Sequence, residues 1–222
     1  MDALEWAVEV AEGRGPPERV TVATHEDFRE ASSRYRPDVR KRLDRVMMAT
    51  DAEAGLDALL SSGALGALLP QVEKLVGFGD GEWRHKDVWK HTKQVVRQAV
   101  PKLELRWAAL LHDIGKVSTR SIGPDGQIHF FGHAEVGARM FDGLEKRVGL
   151  FLDEPSLHLA IRFLILHHLR ASQYGAGWTD SAVRRFAREM GAHMEDLLCL
   201  SRADITTKRA ERKRRGLRQI DD

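Results

Sequence analysis

Residues 103–116 read LELRWAALLHDIGK. Leu105, Ala108 and Ala109 fall at the three- and four-residue spacing of one helical face, and the next position on that face is His112, with Asp113 beside it. Helix 103–114, ended by Gly115, therefore aims an imidazole and its neighbouring carboxylate toward its own apolar side. A buried polar group without a partner costs on the order of a few kcal/mol, so a stripe of this kind has to be explained.

The same pattern recurs along the chain. Leu157, Ala160, Ile161, Leu164 and Ile165 lead to His168, whose neighbour is His167; Met194, Leu197, Leu198 and Ser201 lead to Asp204. Val88, Thr92, Val95, Val96 and Ala99 form a face bordered by His91, and His133 stands three residues before Val136 and seven before Met140. A lone histidine on an apolar face is ordinarily a hydrogen-bonded core residue. Several such groups together call for one shared partner, and a divalent cation is the simplest. The expected ligands are His91, His112, Asp113, His133, His167, His168 and Asp204.

Adjacent helical residues point about 100° apart, so a doublet can serve one ion from two directions or two ions at once. The order of the ligands suggests His91, His112, Asp113 and Asp204 around a first ion, and His133, His167 and His168 around a second that Asp113 bridges. Imidazole-rich sites suit first-row transition ions, and the carboxylates keep Mn, Fe, Ni, Co and Mg all open, with one or two ions bound. Such ions generate a nucleophile from water and neutralise charge on a phosphoryl group, which favours phosphoester hydrolysis. Asp113 and Lys116 are the expected catalytic residues. Lys116, Arg120 and Arg170 are candidates for holding the substrate phosphate, each weighed against an ordinary surface cation.

The remaining sequence is punctuated for an all-α fold. Helices are expected over 2–12, as two or three short segments over 37–79 with Asp51 as an N-cap and Gly63, Gly66 and Pro70 as breaks, and over 87–100, 133–147, 155–169, 180–190 and 193 to about 215. Gly15-Pro16-Pro17 closes the first helix, and residues 18–36 show only weak periodicity. The stretch 117–131 reads as two short extended arms around a turn at Gly123-Pro124-Asp125-Gly126, a β-turn excursion near 119–131. Residues 1–50 read as a helical appendage, 51–83 as short helices packing on the main domain, and 84–222 as that domain.

At 222 residues the chain can bury a sizeable core. One cysteine, Cys199, permits no internal disulfide and fits a reducing compartment; with no apolar run of membrane-spanning length and no basic-then-apolar leader, a soluble cytoplasmic protein is expected. The net charge of +2 is too small for a general polyanion binder. Charge is nevertheless concentrated in residues 208–215, KRAERKRR, where Glu211 is the only acid. Such a run is ordinarily a solvated helix face or a frayed tail; because it starts four residues after Asp204, near the mouth of the expected site, a contact for RNA is the alternative.

The motif LLHDIGK, preceded by DVWKHT and followed by FFGHAEVGA, LILHH and SRAD, resembles the HD superfamily of metal-dependent phosphohydrolases in its HDIG branch, over about residues 84–207. That resemblance implies a helical bundle with a central metal site, and ligand roles for the histidines and aspartates named above. A closer similarity is to the HD domain that accompanies bacterial tRNA nucleotidyltransferases and poly(A) polymerase relatives, through LDALLSSGALGALLPQVEKLVGF, WTDSAVRRFAREMG and SRADITTKRAERKRR. In that group the HD module is associated with 2',3'-cyclic phosphodiesterase and 2'-phosphatase or 2'-nucleotidase activity, so a nucleotide or RNA 3'-end phosphate is the expected substrate. Residues 1–83 contain no Asp-x-Asp nucleotidyltransferase motif, so a free-standing hydrolase is expected. The absence of Gly-Tyr-Pro after His167-His168 and of an HDxxED pattern points away from cyclic dinucleotide and alarmone hydrolysis, while a deoxynucleotide phosphohydrolase stays open. The competing classes are an RNA-binding accessory protein with a structural metal, using the basic helix and Trp83 and Trp89 near His85, and a helical partner module without an ion.

Overall fold

The computed structural model describes residues 2–14, 36–79, 87–173, 178–207 and 209–221. The Gly15-Pro16-Pro17 break, most of the weakly periodic 18–36 stretch, Trp83, His85 and Lys208 lie outside the described residues. Among those described, the fold is all-α apart from one hairpin with two residues in each strand.

Helix α1, Ala3–Ala11, is capped by Asp2, whose carboxylate accepts from Glu5 N at 2.9 Å. Helix α2, Arg36–Met48, leads to α3, Ala52–Ser61, where Asp51 accepts from Ala54 N at 3.0 Å, as the expected N-cap should. Short helices α4, Ala64–Leu68, and α5, Pro70–Glu73, follow. Then come α6, Val88–Gln98, capped by Asp87, and α7, Leu103–Leu111. A turn over 112–115 precedes α8, Lys116–Thr119, and strands β1, Ser121–Ile122, and β2, Ile128–His129, which pair antiparallel. Helices α9, His133–Val148, α10, Pro155–His167, α11, Asp180–Met190, α12, Met194–Asp204, and α13, Ala210–Asp221, complete the order.

Helix α7 is the axis of the site: α6, α10, α12 and α2 all pack against it. Burial of its Leu105, Ala108, Ala109, Leu110 and Leu111 explains why a segment carrying His112 and Asp113 at its end stays in the interior. Helix α1 packs on α2 and α3, and its Leu4 and Val8, with Leu43 and Met47 of α2, join the same apolar cluster as Leu110 and Leu164. Polar ties cross that core: Trp107 Nε1 donates to Asp44 at 2.7 Å, and the buried Arg106 donates to the carbonyls of Ala99 at 2.9 Å and Met47 at 3.0 Å.

Three expected boundaries shift. The helix over 103–114 closes at Leu111, and the stretch expected to be non-helical from 117 instead opens with the helical turn α8. The single helix over 193–215 breaks after Asp204 into α12 and α13. Ile205-Thr206-Thr207 is a run of β-branched residues with poor helix propensity, and the Gln98 side chain caps the broken end by donating to Ala203 O at 2.6 Å.

Candidate metal centre

His91 stands in the first turn of α6, and the other ligands are delivered by element ends. His112 and Asp113 leave α7, His168 leaves α10, Asp204 closes α12, and His133 opens α9 directly after Gly132. Gly132 has a φ of 74°, a conformation that a side chain would resist, and it turns the chain from the hairpin into α9.

Three buried imidazoles share one arrangement. His112, His133 and His168 direct Nδ1 at the carbonyl oxygens of Ala109 at 2.8 Å, Phe130 at 2.8 Å and Ile165 at 2.7 Å. A carbonyl only accepts, so Nδ1 carries the proton and Nε2 of a neutral ring presents a bare lone pair. His91 makes the corresponding contact from Nδ1 to the Thr206 hydroxyl at 3.0 Å.

The Nε2 atoms then face one another in pairs: His91 and His112 at 3.4 Å, His133 and His168 at 3.2 Å. Asp113 stands between the pairs. Its Oδ2 lies 3.2 Å from His112 Nε2 and 3.6 Å from His91 Nε2, and its Oδ1 lies 3.5 Å from His133 Nε2 and 4.0 Å from His168 Nε2. Asp204 Oδ1 approaches His91 at 3.0 Å and His112 at 3.6 Å. The donor atoms form two clusters, His91–His112–Asp113 and Asp113–His133–His168, each with its atoms within 4.8 Å of one another.

Asp113 Oδ1 is buried and accepts no hydrogen bond, although it faces two imidazole nitrogens. An unpaired carboxylate oxygen beside converging lone pairs is unfavourable with protein atoms alone, and it is what a nitrogen–oxygen donor set for a divalent cation looks like. The residues fit such a cation.

Electrostatics point the same way. Burial opposes charge on His112, but the carboxylates of Asp113 and Asp204 outweigh it and raise its pKa to about 10. Burial likewise works against the charges of Asp113 and Asp204; His112 overcomes it, with Lys116 beside Asp113 and His91 beside Asp204, and holds both well below the usual carboxylate range. His168 is pushed down to about 4 by burial and by His112, and burial also lowers His133. One proton, on His112, thus supplies positive charge between the two carboxylates.

A cation that takes His112 Nε2 must displace that proton. Binding of Mn or Co is therefore expected to strengthen from pH 7 to pH 9, by up to about tenfold per unit, and to release about one proton from the ligand set. His133 and His168, with lowered pKa values, contribute none. Calorimetry in buffers of different ionisation enthalpy measures the release; an affinity independent of pH over this range contradicts the assignment of the proton to His112.

His167 is not brought to the centre. Its ring packs against Phe163 with centroids 4.4 Å apart, and it belongs to neither donor cluster. Neighbouring positions at the end of α10 diverge by about 100°, so when His168 points inward its partner turns away. Lys116 does reach the centre, with Nζ 2.6 Å from Asp113 Oδ2 and 5.7 Å from the Phe130 ring centroid. Arg170 pairs with Glu189 at 2.7 Å and lies over Phe186, and Arg120 is exposed just after α8. Thr206 was not legible as a site residue; its only signal is the β-branched run that breaks the helix beside His91.

The family model for the HD domain matches residues 88–212. The chain belongs to the HD-domain family, and with it to a superfamily of metal-dependent hydrolases. It is 37% identical over 139 residues to the CC-adding tRNA nucleotidyltransferase of Thermus thermophilus, a match covering 58% of this chain and 32% of that protein. It is 31% identical over 172 residues to the A-adding tRNA nucleotidyltransferase of Deinococcus radiodurans, covering 75% and 38%, and 29% identical over 152 residues to the multifunctional CCA protein of Ectopseudomonas mendocina, covering 66% and 36%. The chain spans about a third of the length of these curated relatives. Among the described residues no helix is long and apolar enough to cross a membrane.

Proposed function

We propose that this protein hydrolyses a phosphoester of a nucleotide or an RNA end, with a 2',3'-cyclic phosphate as the leading substrate, assisted by one or two divalent cations drawn from Mn, Fe, Ni, Co and Mg. The observation that carries this reading is the pair of facing imidazole couples with the unpartnered Asp113 Oδ1 between them. His91, His112, Asp113 and Asp204 would hold one cation, and Asp113, His133 and His168 a second; His167 takes no ligand role. A cation held there supplies Lewis acidity toward phosphoryl oxygen and makes water acidic enough to attack near neutral pH.

The chain's own groups do the positioning. The carbonyls of Ala109, Phe130 and Ile165 and the Thr206 hydroxyl fix the ring orientations, so the Nε2 set needs little reorganisation. Lys116 can exchange its contact with Asp113 for a phosphate oxygen, bringing a positive charge to the reacting group. In hydrolysis of the cyclic diester a water oxygen–phosphorus bond forms, one ribose oxygen–phosphorus bond breaks, and the departing oxygen takes a proton. Arg120 and Arg170 are further from the donors; Arg170 would have to leave Glu189 to reach substrate. The tRNA named in the relatives' descriptions is consistent with an RNA or nucleotide substrate.

The test is a screen of 2',3'-cAMP, nucleoside monophosphates, deoxynucleotides and an aryl phosphodiester with protein loaded with each of the five metals. Turnover of 2',3'-cAMP is expected, falling about a hundredfold or more in His112→Ala. Silence with every metal and substrate sinks the hydrolytic reading, and turnover confined to deoxynucleotides replaces the substrate.

A further inference from the structure

Helix α13 walls the metal centre from a side that metal binding does not require. A cavity of about 120 Å³ lies between His168 and Asp204 on one side and Gly216, Gln219 and Ile220 of α13 on the other. The helix is seated closely there. A Cβ at Gly216 would stand 3.0 Å from Ile205 Cδ1, Gln219 Nε2 donates to Ser172 O at 3.2 Å, and Asp221 pairs with Arg202 at 2.9 Å.

Positions 216, 219 and 220 share one helical face. Continued one turn toward the N-terminus, that face carries Lys213 and Arg212, and Arg209 stands immediately before the helix with its carbonyl accepting from Lys213 N at 2.9 Å; all three are exposed. Residues 209–218 hold six cations against Glu211 alone. At a rise of about 1.5 Å per residue, Arg209 stands about 10 Å along the axis from Gly216. The cationic strip therefore leads into the cavity and ends there, with its charges set back from the donor atoms.

We propose that Arg209, Arg212 and Lys213 form a track for the sugar-phosphate backbone of a single-stranded RNA whose 3' end enters the cavity beside His168 and Asp204. The inference rests on the hydrolytic reading for what happens at that end, and it narrows the substrate class from free nucleotides to RNA termini. A mononucleotide has no upstream phosphates to occupy the strip. A strand has several, and each phosphate that a cation neutralises releases counterions.

Two double variants with the same change of charge separate a track from general attraction. Arg212→Glu with Lys213→Glu alters the cavity-facing strip, whereas Arg214→Glu with Arg218→Glu alters the opposite side of α13. With a fluorescent 12-nucleotide RNA at about 0.1 M salt, the first pair is expected to weaken binding about tenfold or more and to flatten the log–log salt slope by about 1 to 2, and the second pair less than about threefold. The first pair should also lower kcat/KM for an oligonucleotide ending in a 2',3'-cyclic phosphate while leaving kcat/KM for 2',3'-cAMP unchanged. Equal weakening by both pairs, or no RNA binding by the unaltered protein, overturns the track. If 2',3'-cAMP is not hydrolysed at all, the hydrolytic reading falls, and the binding comparison still decides this one.

Discussion

Asp113→Asn is expected to abolish cation binding and phosphoester turnover together, a larger loss than any other single ligand change. Asp113 is the one residue common to both donor clusters, with Oδ2 toward His91 and His112 and Oδ1 toward His133 and His168. Asparagine keeps the volume but removes the charge and turns one oxygen into a donor, which cannot ligate. Metal per chain, measured by elemental analysis after dialysis, should fall to near zero, and activity by about a thousandfold. The same change leaves Lys116 Nζ without its 2.6 Å partner and removes one of the two carboxylates that raise His112. Breaking a buried ion pair from one side costs about 3 kcal/mol, so chelator-treated Asp113→Asn should melt roughly 6–12 °C below the chelator-treated parent. A variant that retained both metal and activity would remove Asp113 from the centre.

The parts of this centre that follow from helical periodicity were legible in the sequence. The stripes ending at His112, His168 and Asp204 are stated by 3- and 4-residue spacing, and the structure brings these three side chains together with His91, His133 and Asp113. The doublet at 167–168 was not resolved that way, because a doublet offers two directions and only packing chooses: the stripe 157, 160, 161, 164, 165 continues to His168 and leaves His167 against Phe163. The break after Asp204 was hidden for a different reason. Charged residues on both sides favour helix, so the 193–215 segment reads as continuous, and the tertiary contacts of Gln98 with Ala203 O and of Thr206 with His91 accompany the break. Ring orientation was beyond reach altogether, since the Nδ1 bonds to carbonyls three residues back depend on rotamers.

Gly115→Ala is expected to damage the site from behind. The backbone of Gly115 is right-handed, with φ −74° and ψ −17°, so alanine has no torsional objection to the position. The obstacle is space: an added Cβ would overlap the carbonyl oxygen of His133 and stand 2.8 Å from Gly137 N, both backbone atoms of α9. The first turn of α9 would have to retreat, carrying the His133 ring away from Asp113 Oδ1. Overpacking against fixed backbone costs about 2–4 kcal/mol, so a fall in melting temperature of roughly 4–16 °C is expected, together with loss of metal from the Asp113–His133–His168 cluster in particular. Gly143→Ala supplies the counterpart within α9 itself. Nothing lies within 4 Å of a Cβ there, and the position is exposed and helical, so the same chemical change should stabilise the protein by about 0.5–1 kcal/mol. Thermal denaturation and metal analysis of both variants compare the two effects directly, and a Gly115→Ala protein with unchanged melting and metal content would show that close approach of the 112–115 turn to α9 does not hold the two clusters in register.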